Sequence, residues 1–184
     1  MTLDKLLVDF YRANGIPDDG GIDDDTFEIN IFGIQLTMPN PQFRKDALHI
    51  HDIQHILNDC DTSWKGEGFI CGWEIATGMW KYFLLGILSL WAMGYVMWMH
   101  PKSVLEGYKK GLSDRGVIDL KISKADLMRM KLEDLKSLVQ KEKPTKMGIS
   151  QWLQFIFWVL VSEVIFLFPL LLIGLGIYSL NILI

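Results

Sequence analysis

Apolar positions along the chain change their spacing several times, and each change marks an element. Leu3, Leu6, Leu7, Phe10 and Tyr11 recur at helical spacing, and Asn14-Gly15-Ile16-Pro17 ends that helix. Phe27, Ile29 and Ile31 alternate with polar residues, as do Ile34, Leu36 and Met38, around Phe32-Gly33. This alternation predicts a short β-hairpin. Asn40-Pro41 reads as an N-cap followed by proline at the first helical position, opening a helix to about Leu57. A polar turn, residues 58–63, leads into a second helix from Trp64 to about Lys81. That helix carries Gly66, Gly68, Gly72 and Gly78, each costing up to about 1 kcal/mol of helix propensity. Such a cost is tolerated where backbones or a ligand approach closely. Residues 82–99 are 18 positions without a charge, ended by His100-Pro101. Amphipathic helices follow over about Ser103 to Leu112 and Ser123 to Val139. In the latter, Ser123 and Asp126 make a capping-box pair, and Leu127, Met130, Leu135 and Leu138 form the apolar face.

The last 33 residues, Trp152 to Ile184, contain one charged side chain, Glu163. A bilayer core needs about 20 apolar residues as a helix. The stretches on either side of Pro169, 17 and 15 residues, are too short for two crossings with a turn. One tilted or kinked span is expected, with an interfacial start near Trp152 and Trp158. A lone carboxylate in lipid is costly, so Glu163 should lie near the headgroups or face a partner. Lys136, Lys141, Lys143 and Lys146 flank the start of this span, which puts the body on the cytoplasmic side. Residues 82–99, at the lower limit of length for spanning, are expected to lie buried or along the membrane. The fold class that follows is all-α: a helical metal-binding domain with a short β-hairpin over residues 1–148, and a transmembrane anchor over 149–184.

Charge adds an asymmetry that the net value of −4 conceals. Residues 1–81 hold 6 basic and 14 acidic side chains, whereas residues 101–150 hold 12 basic and 7 acidic. The lysines alternate with Asp and Glu, so no nucleic-acid footprint appears. Cys60 and Cys71 are too few for a disulfide framework and read as thiols, with no secretory signal or Arg-rich presequence ahead of them. The acidic run Asp18 to Asp25 fails the calcium-loop pattern, since glycine takes a required ligand place and no Glu closes the loop. It reads as a solvated loop.

The chemistry concentrates in His49-Ile-His-Asp-Ile-Gln-His55. At about 100° per residue, His51 and His55 are about 40° apart on one helix face, and Asp52 falls about 60° beyond His55. His49 points away from His51. Two imidazoles beside a carboxylate suit zinc, iron or a similar divalent metal. Glu67, twelve residues after His55, heads the next helix, and an antiparallel return can bring its carboxylate back to the pair. Zincin proteases need Glu where Asp52 stands. Dispersed-ligand phosphohydrolases and membrane di-iron hydroxylases need more histidines than the four present. A metallohydrolase with Asp52 as its base is a further possibility.

His51-Asp52-Ile53-Gln54-His55, then eleven residues ending in Gly66, then Glu67, resembles the signature of the fourth protein of the coenzyme Q (ubiquinone) biosynthesis pathway. Trp73-Glu74 and Thr77-Gly78 resemble that family's aromatic-Glu and Thr-Gly pairs, the second with a one-residue slip. Tyr108 to Gly111 and Leu132 to Leu138 are similar to its later helices. The resemblance runs from about Asp4 to Val139. It implies an all-α domain in which His51, Asp52, His55 and Glu67 bind a divalent metal, zinc first and iron or another as alternatives, and carry the chemistry. It also implies a polyprenylated quinone precursor or other isoprenoid lipid as substrate, and other quinone-biosynthesis enzymes as partners. The implied activity replaces a ring carboxyl by a hydroxyl in an oxidative decarboxylation. The alternative is a non-enzymatic, lipid-binding scaffold that gathers such enzymes at the membrane, here the bacterial inner membrane with the metal domain on its cytoplasmic face. The chain departs from the family in its apolar C-terminal segment and in Ile56-Leu-Asn-Asp-Cys60, which lacks the family's glycine.

Overall fold

The computed structural model describes residues 1–143 and 145–183, with α8 described by its backbone alone at 173, 176, 177 and 180–183. Ile184, the last residue of the predicted apolar run, lies outside the described residues. In chain order the elements are α1 (Leu3–Asn14), β1 (Thr26–Ile31), β2 (Ile34–Pro39), α2 (Gln42–Asn58), α3 (Trp64–Thr77), α4 (Phe83–Met99), α5 (Pro101–Gly111), α6 (Lys124–Arg129), α7 (Leu132–Val139) and α8 (Ile149–Leu183). Short 3-10 turns occupy Met79–Lys81 and Ile118–Leu120. The fold is thus mostly helical with one two-stranded hairpin. Two compact units divide the chain. The first holds Met1–Thr62 and Arg115–Lys141, the second Ser63–Asp114 and Glu142–Ile184.

In the first unit, α1 buries Leu3, Leu7 and Tyr11. Gly15, at φ 67°, ends it in the left-handed conformation that lacks a Cβ penalty. The hairpin pairs Phe27 with Met38, Ile29 with Leu36 and Ile31 with Ile34 across an antiparallel ladder. The turn at Phe32-Gly33 has positive φ at both residues, the geometry that matches strand twist. Phe32 adopts it without glycine's freedom. Asn40 does not cap α2. Its Nδ2 donates to the Gly21 and Asp24 carbonyls, and its Oδ1 accepts from Arg44 Nη1 at 2.8 Å. The carboxamide that would have served the helix end instead pins the acidic loop, and Pro41 stands at the N-cap.

The helix expected over Ser123 to Val139 is two helices. Met130 and Lys131 are extended, and there the chain pairs with its own N-terminus: Leu3 N–H donates to the Met130 carbonyl at 2.9 Å, and Thr2 bridges Lys131. Tertiary backbone pairing overrides helical periodicity at this point. Ser123 caps α6 as expected: its Oγ accepts from Asp126 N–H at 3.2 Å, while the Asp126 carboxylate accepts the Ser123 hydroxyl at 2.6 Å.

In the second unit, α3 and α5 approach so closely that glycine is obligatory. A Cβ on Gly72 would stand 2.1 Å from the Val104 carbonyl oxygen, and one on Gly107 would stand 1.9 Å from that of Phe69. The glycines whose helix propensity is poor are therefore the contact surface of a helix pair. Ser103 Oγ donates to the Lys65 carbonyl at 2.7 Å, and Trp73 Nε1–H donates to Asp114 Oδ2 at 2.8 Å. Lys110 also reaches Asp114, whose side chain is buried. α3 ends at Thr77, four residues before the expected end, because the chain turns at Gly78 with φ 99°.

α4 packs on α8 through Trp91 and Tyr95 against Phe166, and Trp80 of the preceding 3-10 turn meets Trp158. Trp98 Nε1–H donates to Glu163 Oε2 at 2.9 Å, so the single carboxylate of α8 faces a partner. Within α8, Ile149–Leu172 is the one stretch among the described residues long and apolar enough to cross a membrane, and most of it is exposed. Trp80, Phe83, Leu84 and Trp98 leave the neighbouring surface apolar as well.

Candidate metal centre

α2 is unusual for the polar groups it buries. His49, Asp52, Gln54 and His55 are all enclosed together with Leu48 and Ile53. The helix ends at Asp59, φ 54°, where Cys60 N–H donates back to the His55 carbonyl at 2.9 Å. His55 therefore sits in the last turn, held by backbone bonds on both sides.

One turn apart, the imidazoles of His51 and His55 converge. Their Nε2 atoms are 3.3 Å apart, with the rings edge-on at 73°. Two nitrogens each about 2.0–2.1 Å from a tetrahedral zinc lie about 3.3–3.4 Å from one another, so the pair already has the separation that such an ion imposes. Phe10 of α1 packs on the His55 ring at 5.8 Å, covering it with apolar surface. His55 is 1 % exposed. His51 is half-buried and gives the pair its accessible side.

Asp52 leaves the helix toward α1. Its Oδ2 accepts the Tyr11 hydroxyl at 2.8 Å, a buried bond across 41 residues. Burial first, and the Asp52 charge second, push the Tyr11 phenol far above its ordinary range, so Tyr11 remains a donor. His49 is buried elsewhere on the helix. Burial, followed by the Lys124 charge, holds it below the usual imidazole range, against a smaller opposing pull from Asp46.

Glu67 belongs to the second unit, half-buried in the first turn of α3. Ser63 caps this helix, accepting from Gly66 N–H at 3.3 Å, and Glu67 N–H donates to the Ser63 carbonyl at 2.8 Å. An acidic side chain is favoured at this positive helix end. Cys71 and Glu74 follow on the same face. Burial, then the Glu74 and Glu67 charges, push the Cys71 thiol well up, which keeps it protonated and inert. Glu74 is itself buried and accepts the Ser89 hydroxyl at 2.6 Å. Cys60 and Cys71 are not joined to one another by a disulfide.

His51, His55 and Glu67 thus offer two imidazoles and a carboxylate, a donor set that could hold a metal ion. Asp52 is engaged with Tyr11 instead. The sequence does not single out two further residues of this region. Tyr11 looked like one more apolar position of α1, and Gln54 like a spacer between histidines. Helical geometry offered the signal for Gln54, about 60° around the helix from His51. No protein-family model, curated protein or solved structure matches the chain.

Proposed function

We propose that this protein is a membrane-attached, metal-binding enzyme of ubiquinone or related isoprenoid-quinone biosynthesis, acting in oxidative decarboxylation of a polyprenylated aromatic precursor. The observation that carries the reading is the 3.3 Å convergence of His51 and His55 Nε2 on a buried helix face. His51, His55 and Glu67 would hold the ion. Three protein ligands with an open position is the pattern of a catalytic site rather than a closed structural one. Asp52 is the fourth candidate, and binding through Oδ2 would require it to turn from Tyr11. A divalent ion held there supplies Lewis acidity toward ring oxygens. The protein's own part is to orient the ring, and the Phe10 side of the pair keeps water from it. Zinc does not cycle between redox states, so with zinc the ring would give up two electrons directly to dioxygen, leaving hydrogen peroxide beside carbon dioxide and the hydroxylated ring.

The apolar exterior of α8 and α4 supports attachment to a bilayer. The lysines before α8 favour the cytoplasmic face of a bacterial inner membrane. That same exterior also favours a second reading, a lipid-binding scaffold for other quinone-biosynthesis enzymes in which the metal only stabilises the fold. Turnover separates the two. With a prenylated 4-hydroxybenzoate and dioxygen, metal-loaded wild type should release carbon dioxide and form the hydroxylated ring, and His51→Ala should not. A fully metal-loaded, folded protein that binds the substrate without turnover would leave the scaffold as the function.

A further inference from the structure

Gln54 is completely buried, and neither its Nε2 nor its Oε1 has a hydrogen-bond partner among the described residues. More than about nine in ten buried polar groups in folded proteins are paired, and an amide enclosed without a partner is costly to leave so. Its neighbours on α2 are well packed: Ile53 is fully buried and His55 nearly so. The open donor and acceptor therefore lie within a tightly built stretch, about 60° around the helix from His51 on the side away from His55.

We propose that the Gln54 carboxamide is the ligand-reading group of this site, holding the hydroxyl of an otherwise apolar molecule beside the histidine pair. A neutral amide enclosed this deeply favours a neutral partner, because a charge brought there would lose its water without gaining a counter-charge. A hydroxyl answers both halves of the amide, donating to Oε1 and accepting from Nε2–H. Gln54 thus selects a ring that carries a free hydroxyl. The inference rests on the reading of an aromatic, apolar-tailed substrate given above, though not on the identity of the metal.

The test uses the full chain in detergent and two probes, geranylated 4-hydroxybenzoate and its methyl ether, which lacks the donated proton. By titration calorimetry, wild type should bind the free phenol about ten-fold or more tightly than the ether. In Gln54→Leu, similar in volume and apolar, the two probes should bind equally. Gln54→Met allows the same comparison should leucine fit poorly. An unchanged preference in these variants would overturn the inference, leaving an ordered water as the partner of Gln54. Wild type that binds neither probe would overturn it together with the aromatic-substrate reading. Metal content measured in the same samples separates the readings: a hydroxyl preference lost in Gln54→Leu in metal-free protein retains this inference and removes the metal.

Discussion

The two units spend their buried polar groups differently. In the second unit Glu74, Thr77, Ser89, Ser103, Asp114 and Ser162 are buried, and each is hydrogen-bonded within the unit. Thr77 and Ser162 bond within their own helices, whereas the bonds of Glu74 with Ser89, of Ser103 and of Asp114 tie separate elements together beside glycine contacts that admit no larger residue. In the first unit α2 buries His49, Asp52, Gln54 and His55 on a single helix, and Gln54 has no partner among the described residues. Full satisfaction reads as construction. Open valence on a buried helix face reads as a place where something else binds. The second unit is thus a tightly locked helix assembly with an apolar exterior, whereas the first holds the buried polar face of α2 with His51 and His55.

The largest expected effect should fall on the locked unit. Gly107→Val puts side-chain atoms into the Phe69 carbonyl, and its overpacking should cost about 3 kcal/mol or more, read as loss of cooperative thermal unfolding by circular dichroism. Next comes Trp73→Phe, which removes a donor from buried Asp114 and should cost about 2–3 kcal/mol in denaturant unfolding. A cost near zero in either variant would break the comparison.

In the first unit the effects should be smaller and partly of opposite sign. Tyr11→Phe withdraws the hydroxyl from Asp52 and should cost about 1–2 kcal/mol. If Asp52 turns to the metal, the same variant should tighten metal binding, measurable by competition with a chelator. His49 binds its proton less readily folded than unfolded. The unfolded chain then holds more protons as pH falls below about 6.5, and stability falls with it until the depressed folded value is passed. His49→Gln should flatten that slope in unfolding experiments from pH 7 to 5, while an unchanged slope would assign it to other groups. Smallest of all, Gln54→Leu without ligand should be neutral or stabilising by about 1 kcal/mol, the reverse of Trp73→Phe.

The elements themselves were legible because most follow a single periodicity. α1, the hairpin, α4 and α5 fall within a few residues of their expected bounds. Legibility failed where a distant segment competes for the backbone or a cap. Periodicity cannot foresee that Thr2 and Leu3 will pair at Met130–Lys131 and split one helix into two. Nor can it foresee that Asn40 will serve the acidic loop. The His51/His55 pair was readable because both ligands belong to one helix, where spacing determines direction. Tyr11 behind Asp52 was not, since 41 residues separate them. Nor does hydropathy show that Trp91 and Tyr95 of α4 meet Phe166 of α8.

The most direct test of the central claim is the metal content of the full-length protein by elemental analysis, wild type against His51→Ala/His55→Ala. About one divalent ion per chain is expected in wild type and less than about a tenth of that in the variant, with helical content retained. Equal metal in the two proteins, or none in freshly purified wild type supplied with zinc and iron, would contradict it.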